Sequence, residues 1–300
     1  MGGHMKSLFI VNPTAGKKKG LEFIKAFENE IADKTDYIIE VTEEKGQATE
    51  IARRYSSEED YIIYAVGGDG TVNEVVNGMA GSGSILAIIP TGSGNDMVRS
   101  IYPSYSNEEL LRRLLIGSVK RIDLYRADEC YYINIASVGL DADIVFNADK
   151  YKKKSYIKGE FAYLISLFKT LFGNKGVSAK VLFDDQEVYD KEFLLLTVSN
   201  GRFYGGGIPI TPHAKLDDGV SDVCFIKETK LRRLLPVLPK VFKQTHEETE
   251  LVEVYHPQKV EIIGEKAFRV NVDGEVWETK HIIMEVIPNS LQMLVPFNGV

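Results

Sequence analysis

The feature that most constrains this chain is a repeated junction in its first third. A short apolar run ends in a glycine-bearing loop, which then enters a helical pattern. Lys6–Val11 leads into Asn12-Pro13-Thr14-Ala15-Gly16, and Tyr61–Val66 into Gly67-Gly68-Asp69-Gly70-Thr71. Ser84–Ile89 leads into Pro90-Thr91-Gly92-Ser93-Gly94-Asn95-Asp96. Between the first two junctions, the run Tyr37–Val41 is followed by Thr42 and a helical pattern over Gln47–Tyr55. Near-continuously apolar strands separated by helices build a parallel sheet covered on both faces. Ligands of such sheets lie beyond the carboxyl ends of the strands, which is where these loops fall.

Glycine admits positive φ and close backbone approach. Successive N–H groups at a helix N-terminus then make a nest suited to phosphate. The competing reading of each loop is a tight strand-to-helix turn, with Asp69 as a cap and Lys17–Lys19 as a solvated run. Three such loops at one sheet edge favour a nucleotide. Neither the G-x-x-x-x-G-K-[ST] loop nor the G-x-G-x-x-G fingerprint is present.

After about Asp123 the pattern changes. Tyr131–Val138, Lys180–Phe183, Glu192–Val198, Ser221–Ile226, Lys259–Ile263, Phe268–Val272 and His281–Val286 read as strands with few intervening helices, apart from Phe161–Phe172 and Leu231–Gln244. The expected organisation is an α/β nucleotide-binding domain over 6–126 and a mostly antiparallel β-sandwich over 127–289 that binds the acceptor. Residues 290–300 are expected to return to the first domain. Strand periodicity places Asn271, Asp273 and Glu275 on one face, opposite Val270 and Val272. The alternative is a hairpin, because Asp-Gly between apolar runs is a strong type I′ turn signal. Lys215-Leu216-Asp217-Asp218-Gly219 is either an Asx turn or an oxygen-rich site for a hard cation.

Composition narrows the partners. A net charge of −7 and a pI near 5.4 argue against a nucleic-acid binder. Two cysteines, Cys130 and Cys224, suit a reducing compartment and cannot make a disulfide framework. No apolar run approaches the ~18–20 residues that span a bilayer, and no signal peptide is seen. Met1-Gly2-Gly3-His4 reads as a cloning remnant ahead of a natural start at Met5. The other four histidines have no metal-ligand spacing.

The set NPTAG, GGDGT and PTGSGND, in this order and with these strand contexts, resembles the diacylglycerol kinase catalytic domain, and most of all the soluble bacterial lipid kinases. The resemblance extends over residues 6–296, since Lys215–Gly219 and Val272-Asp273-Gly274-Glu275 also match. The third loop reads G-S-G-N-D where the family more often has G-T-x-N-D, which keeps a hydroxyl. The resemblance implies ATP held by Asn12, Pro13, Thr14, Ala15 and Gly16, by Thr42, by Gly67, Gly68, Asp69, Gly70, Thr71, Val72 and Asn73, and by Thr91. It implies a magnesium ion on the Asp218 carboxylate and the carbonyls of Lys215 and Val220. It also implies that Asp69, Asp96 and Asp123 form a carboxylate network near a catalytic magnesium, with Asp273 as general base and Glu275 beside it.

The expected activity is transfer of the γ-phosphoryl group of ATP to a primary hydroxyl of a membrane lipid, diacylglycerol first. Alternatives are a sphingosine or other lipid kinase, an NAD kinase-like enzyme, or a nucleotide-binding regulatory module without turnover. The family is often dimeric, so a homodimer is an open expectation. Two basic stretches interleaved with apolar residues suggest peripheral contact of a cytoplasmic protein with an anionic membrane. The first is Lys150, Lys152, Lys153, Lys154 and Lys158; the second is Lys230, Arg232, Arg233, Lys240 and Lys243. The competing reading of each is a solvated lysine run beside a core helix.

Overall fold

A computed structural model of the chain describes residues 5–297 apart from 19, 21, 24–25, 27–35, 93, 103–104, 141, 144–175 and 230. The helical pattern on Leu21, Ile24, Phe27 and Ile31, the first basic stretch and Phe161–Phe172 lie outside the described residues.

Strands β1 (Lys6–Val11), β2 (Tyr37–Val41), β3 (Tyr61–Gly67) and β4 (Ile85–Pro90) pair in parallel in the order β4-β3-β1-β2. Leu8, Ile10, Ile63, Ala65, Leu86 and Ile88 are fully buried, as double-sided burial demands. Phe9 stacks on Tyr64 with ring centroids 4.2 Å apart. The pairings Val11↔Val41, Val11↔Val66 and Gly67↔Pro90 bring the strand ends to one edge. Helices α1 (Gln47–Glu58) and α2 (Asp69–Met79) follow β2 and β3, while α3 (Asp96–Ile101) and α4 (Asn107–Leu114) follow β4. Ser106 caps α4, its Oγ accepting from Glu109 N–H at 3.2 Å.

The remaining strands are β5 (Ser118–Ala127), β6 (Cys130–Tyr132), β7 (Ile135–Gly139), β8 (Val177–Phe183), β9 (Gln186–Ser199), β10 (Asp222–Lys227), β11 (Glu253–Tyr255), β12 (Lys259–Val272) and β13 (Glu275–Val295). They pair antiparallel with one another. Strands β7 and β8 share one line: β9 pairs Leu195 with Gly139 and Phe193 with Val177, and β12 spans the same two partners. The sheet also folds back on itself. Tyr125 Oη on β5 donates to the Val220 carbonyl just before β10 at 2.8 Å, although several strands separate β5 from β10 in the pairing order.

Strand β13 joins the two halves. It pairs with β12 near its start, with β5 over its second half, and in parallel with β4 through Gln292 and Met293. Leu291, Met293 and Leu294 are buried in the same core as β1, β3 and β4. One hydrogen-bonded network therefore runs through all thirteen strands.

Several elements differ from the sequence reading. Tyr131–Val138 is two strands, interrupted where the Asn134 carbonyl accepts from Asn200 and Gly201 N–H at 2.8 and 3.1 Å. The runs at 259–263 and 268–272 are a single bulged strand, and His281–Val286 and Leu291–Val295 belong to one long strand with a second irregularity between them. The Leu231–Gln244 stretch is two short helices, α5 (Leu231–Leu234) and α6 (Leu238–Phe242), because Pro236 and Pro239 interrupt the ladder.

Candidate active site

The glycine loops meet at the carboxyl edge of the parallel strands. Asn12 Oδ1 accepts from Thr14 N–H at 3.0 Å and Thr14 Oγ1 at 2.8 Å, which shapes the first loop. Its Nδ2 donates to Thr71 Oγ1 at 3.2 Å and so ties that loop to the second. Pro13, Ala15 and Gly16 follow on the same loop, Gly16 with φ 53°. Thr42 N–H donates to the Val11 carbonyl at 2.9 Å, which sets the end of β2 beside that of β1.

Thr91 and Gly92 N–H both donate to the Gly67 carbonyl, at 2.8 and 3.2 Å. A Cβ on Gly92 would lie 2.5 Å from Gly68 Cα, so only glycine lets these two loops pass. Around Gly70, by contrast, a Cβ would meet nothing within 4 Å. The N-terminal turn of α2 is thus open at Gly70, and helix N-termini suit anions. Thr91 Oγ1 is buried and has no hydrogen-bond partner among the described residues. Val72 points elsewhere: it is buried in the core and its N–H closes the helix onto the Gly68 carbonyl.

The Asp69 carboxylate turns away from its own helix. Oδ2 accepts from Asn95 N–H at 2.8 Å and Oδ1 from Asp96 N–H at 2.9 Å, so it caps α3. Burial pushes its pKa up, while those N–H groups pull it down. Asp96 Oδ2 accepts from Gly206 N–H at 2.9 Å and Oδ1 lies 3.8 Å from Arg99 Nε. Burial raises the Asp96 pKa, and the charge of Asp69 adds to the rise.

Asp273 stands opposite. Asp273 and Gly274 form the two-residue hairpin between β12 and β13, with φ of 46° and 95° and Val272 paired to Glu275. Positive φ at both positions is type I′ geometry. The turn therefore overrides strand alternation, and the expected common face of Asn271, Asp273 and Glu275 does not form. The Asp273 carboxylate folds inward and accepts from Ile133 N–H at 3.1 Å and Ile135 N–H at 2.9 Å. Asn73 Nδ2, on α2, lies 3.5 Å from Oδ2 and 3.2 Å from the Tyr131 carbonyl, so Asn73 faces Asp273 more than the glycine loops. Burial pushes the Asp273 pKa up to about 6 against the pull of the two amides, and the charge of Asp69 adds to the rise. Glu275 is exposed, its carboxylate 2.7 Å from Lys45 Nζ.

Residues 6–127 match the model of the diacylglycerol kinase catalytic domain, and residues 134–295 that of the YegS C-terminal NAD kinase beta sandwich-like domain. A diacylglycerol kinase of Staphylococcus saprophyticus is 30% identical over 277 residues, covering 90% of this chain and 88% of its own length. The chain belongs to the diacylglycerol kinase catalytic-domain family. A solved diacylglycerol kinase of Bacillus anthracis superposes with a TM-score of 0.74 at 25% identity over the full length of both chains. An Archaeoglobus fulgidus NAD kinase in complex with ATP shares the fold, with a TM-score of 0.56 at 14% identity, covering 97% of this chain and 94% of that one.

Within this family member, Asp123 does not join Asp69 and Asp96. Its oxygens accept from Gly219 N–H and Asn289 N–H, each at 2.7 Å, because β5 pairs with β13 and carries Asp123 to the 216–219 turn. Asp217, Asp218 and Asp222 crowd the same turn. Burial raises the pKa of Asp123, with Asp218 and Asp217 adding. Burial lifts Asp222 to about 6, His256 draws it down and Asp218 raises it again. Asp218 is exposed and holds one long hydrogen bond, from Val220 N–H at 3.4 Å. The Asp218 carboxylate and the Lys215 and Val220 carbonyls are hard oxygen donors of the kind magnesium takes, and the Val220 carbonyl also accepts from Tyr125 Oη at 2.8 Å. No group of three or more His, Cys, Asp or Glu side chains is arranged for a metal among the described residues.

Sequence reasoning missed the partners of the acidic groups. The amides of Ile133 and Ile135 carry no sequence signal. Lys45 lies in the loop just after Thr42, but its reach to Glu275 depends on how the halves pack. Gly206 belongs to a Gly205-Gly206-Gly207 run whose positive φ values, 60°, 88° and 109°, let the loop bend over Asp96.

Proposed function

We propose that this chain is an ATP-dependent lipid kinase that transfers the γ-phosphoryl group to a primary hydroxyl of a membrane lipid, converting diacylglycerol to phosphatidic acid at the cytoplasmic membrane surface. The observation that carries the reading is Asp273, a half-buried carboxylate pinned at a hairpin turn by two backbone N–H groups, with a pKa of about 6 and in electrostatic reach of Asp69 beside the glycine loops. A base needs a pKa near the working pH, and burial supplies it.

In this reading Asn12–Gly16, Thr42, Gly67–Thr71 and Thr91 hold the nucleotide, with the N-terminal turn of α2 on its phosphates. Asp69 and Asp96 fix the third loop and would hold the metal that accompanies ATP. Magnesium there would neutralise phosphate charge during transfer, and Asp218 with the Lys215 and Val220 carbonyls would hold a second, structural ion. Asp273 accepts the acceptor's hydroxyl proton, and Ile133 and Ile135 keep its carboxylate aimed. Glu275, at the exposed rim of the hairpin, pairs with Lys45 in the loop after Thr42.

Radiolabelled ATP offered with dispersed diacylglycerol, sphingosine and NAD tests the proposal. Labelled phosphatidic acid supports it. A labelled dinucleotide, another labelled lipid alone, or no product overturns the acceptor assignment.

A further inference from the structure

Helices α5 and α6 present a face that phosphoryl transfer leaves unused. On the inner side Leu234, Val237 and Val241 are buried in a small core with Ile135, Leu195 and Ile210. The outer side is apolar as well: Phe242 is 68% exposed, Leu235 53% and Leu238 39%. Of the nine large hydrophobic side chains exposed among the described residues, these three fall between 235 and 242. Apolar groups concentrated in this way mark an interaction surface rather than scatter.

Arg233, Lys240 and Lys243 are exposed beside them, and no acidic residue occurs from 230 to 244 in a chain of net charge −7. A second copy of the chain is a poor occupant, since a two-fold contact would set these cations against their own equivalents. An anionic bilayer satisfies both parts of the pattern, with phosphates for the cations and acyl chains for the rings and aliphatic groups. The patch also adjoins the proposed base. Ile135 packs its side chain into the same small core, while its N–H grips Asp273.

We infer that the α5–α6 knob is a membrane-docking surface, seating Leu235, Leu238 and Phe242 in the interfacial layer of an anionic bilayer under Arg233, Lys240 and Lys243. The inference deepens the lipid-kinase reading and rests on it for the identity of the acceptor; vesicle binding itself does not need turnover.

The test is co-sedimentation with phosphatidylcholine vesicles with and without phosphatidylglycerol. Two variants are compared with the parent, Leu235→Ser/Phe242→Ser and Arg233→Glu/Lys240→Glu/Lys243→Glu, each checked by circular dichroism. Each cation near an anionic leaflet is worth about fivefold in partition, so the charge variant is expected to lose about a hundredfold. Removing two inserted side chains lowers partition at least about tenfold. Both variants keep parental turnover on a short-chain diacylglycerol dispersed as monomers and lose it on long-chain substrate in vesicles. Vesicle binding that is unchanged in both folded variants overturns the docking surface, as does self-association of the parent that disappears with Phe242. Vesicle binding that depends on these residues, in a protein that phosphorylates no diacylglycerol, leaves the surface standing and refutes the lipid-kinase reading instead.

Discussion

Replacing Asp273 by asparagine separates chemistry from stability in a way the site makes quantitative. The folded carboxyl titrates at about 6 rather than 3.8, so ionising it inside the fold costs about 3 kcal/mol. The sign follows from the raised value. The folded protein holds this proton when the unfolded chain has lost it, so the contribution to stability is greatest below about pH 4 and falls away between about pH 4 and 6. Asparagine has no such loss. Its amide nitrogen, however, meets one of the N–H donors of Ile133 or Ile135 and leaves it unpartnered, at about 1–3 kcal/mol. The two effects nearly cancel at pH 7, and the parent–variant gap shifts by about 3 kcal/mol toward the variant between pH 4 and pH 7. Trp277, the single tryptophan, packs beside the core next to this hairpin and reports urea unfolding at both pH values. Turnover, read by transfer of labelled phosphate to diacylglycerol, is expected to fall about 10²–10⁴-fold. A folded variant within tenfold of parental turnover refutes Asp273 as base. A gap that does not move with pH refutes the raised carboxyl.

Gly92→Ala places a methyl 2.5 Å from Gly68 Cα and is expected to force the loops apart, costing about 1–3 kcal/mol of stability and weakening ATP binding measured by calorimetry; parental affinity would refute the loop contact as a determinant of the site. The Lys45–Glu275 pair is exposed, so a double-mutant cycle with alanine at both positions is expected to give a coupling below about 1 kcal/mol. A larger value would mean that the pair clamps the halves together. Magnesium is expected to raise the parent's melting temperature and Asp218→Asn to abolish that rise; an unchanged magnesium response in the variant would remove Asp218 from the ligand set.

Strands β1, β3 and β4 were legible because each is a short apolar run closed by a proline- or glycine-bearing loop, and a buried parallel strand allows little else; β2, at the edge and only half-buried, was legible from its Tyr-Ile-Ile run. The glycine loops were legible for the same local reason. Asp273 was readable twice, as a turn residue and through family resemblance, and the structure reconciles the two: the left-handed turn is what swings the carboxylate inward. What escaped was set by distant pairing. Strand β5 begins Ser118-Val119-Lys120-Arg121, all exposed, so no alternation announced it. With β5 unseen, nothing placed Asp123 beside Gly219 and Asn289 instead of Asp69. The bulge between Ile263 and Phe268 hid the continuity of β12 in the same way.

The second half of β13 fills the slot between β4 and β5. Without it the edge of β4 would be open, and the core under the glycine loops would lack Leu291, Met293 and Leu294. The hairpin that carries Asp273 precedes this segment on the same strand. Any chain long enough to close the sheet beside β4 therefore already carries Asp273, so completion of one half of the fold is coupled to possession of the other's key carboxylate.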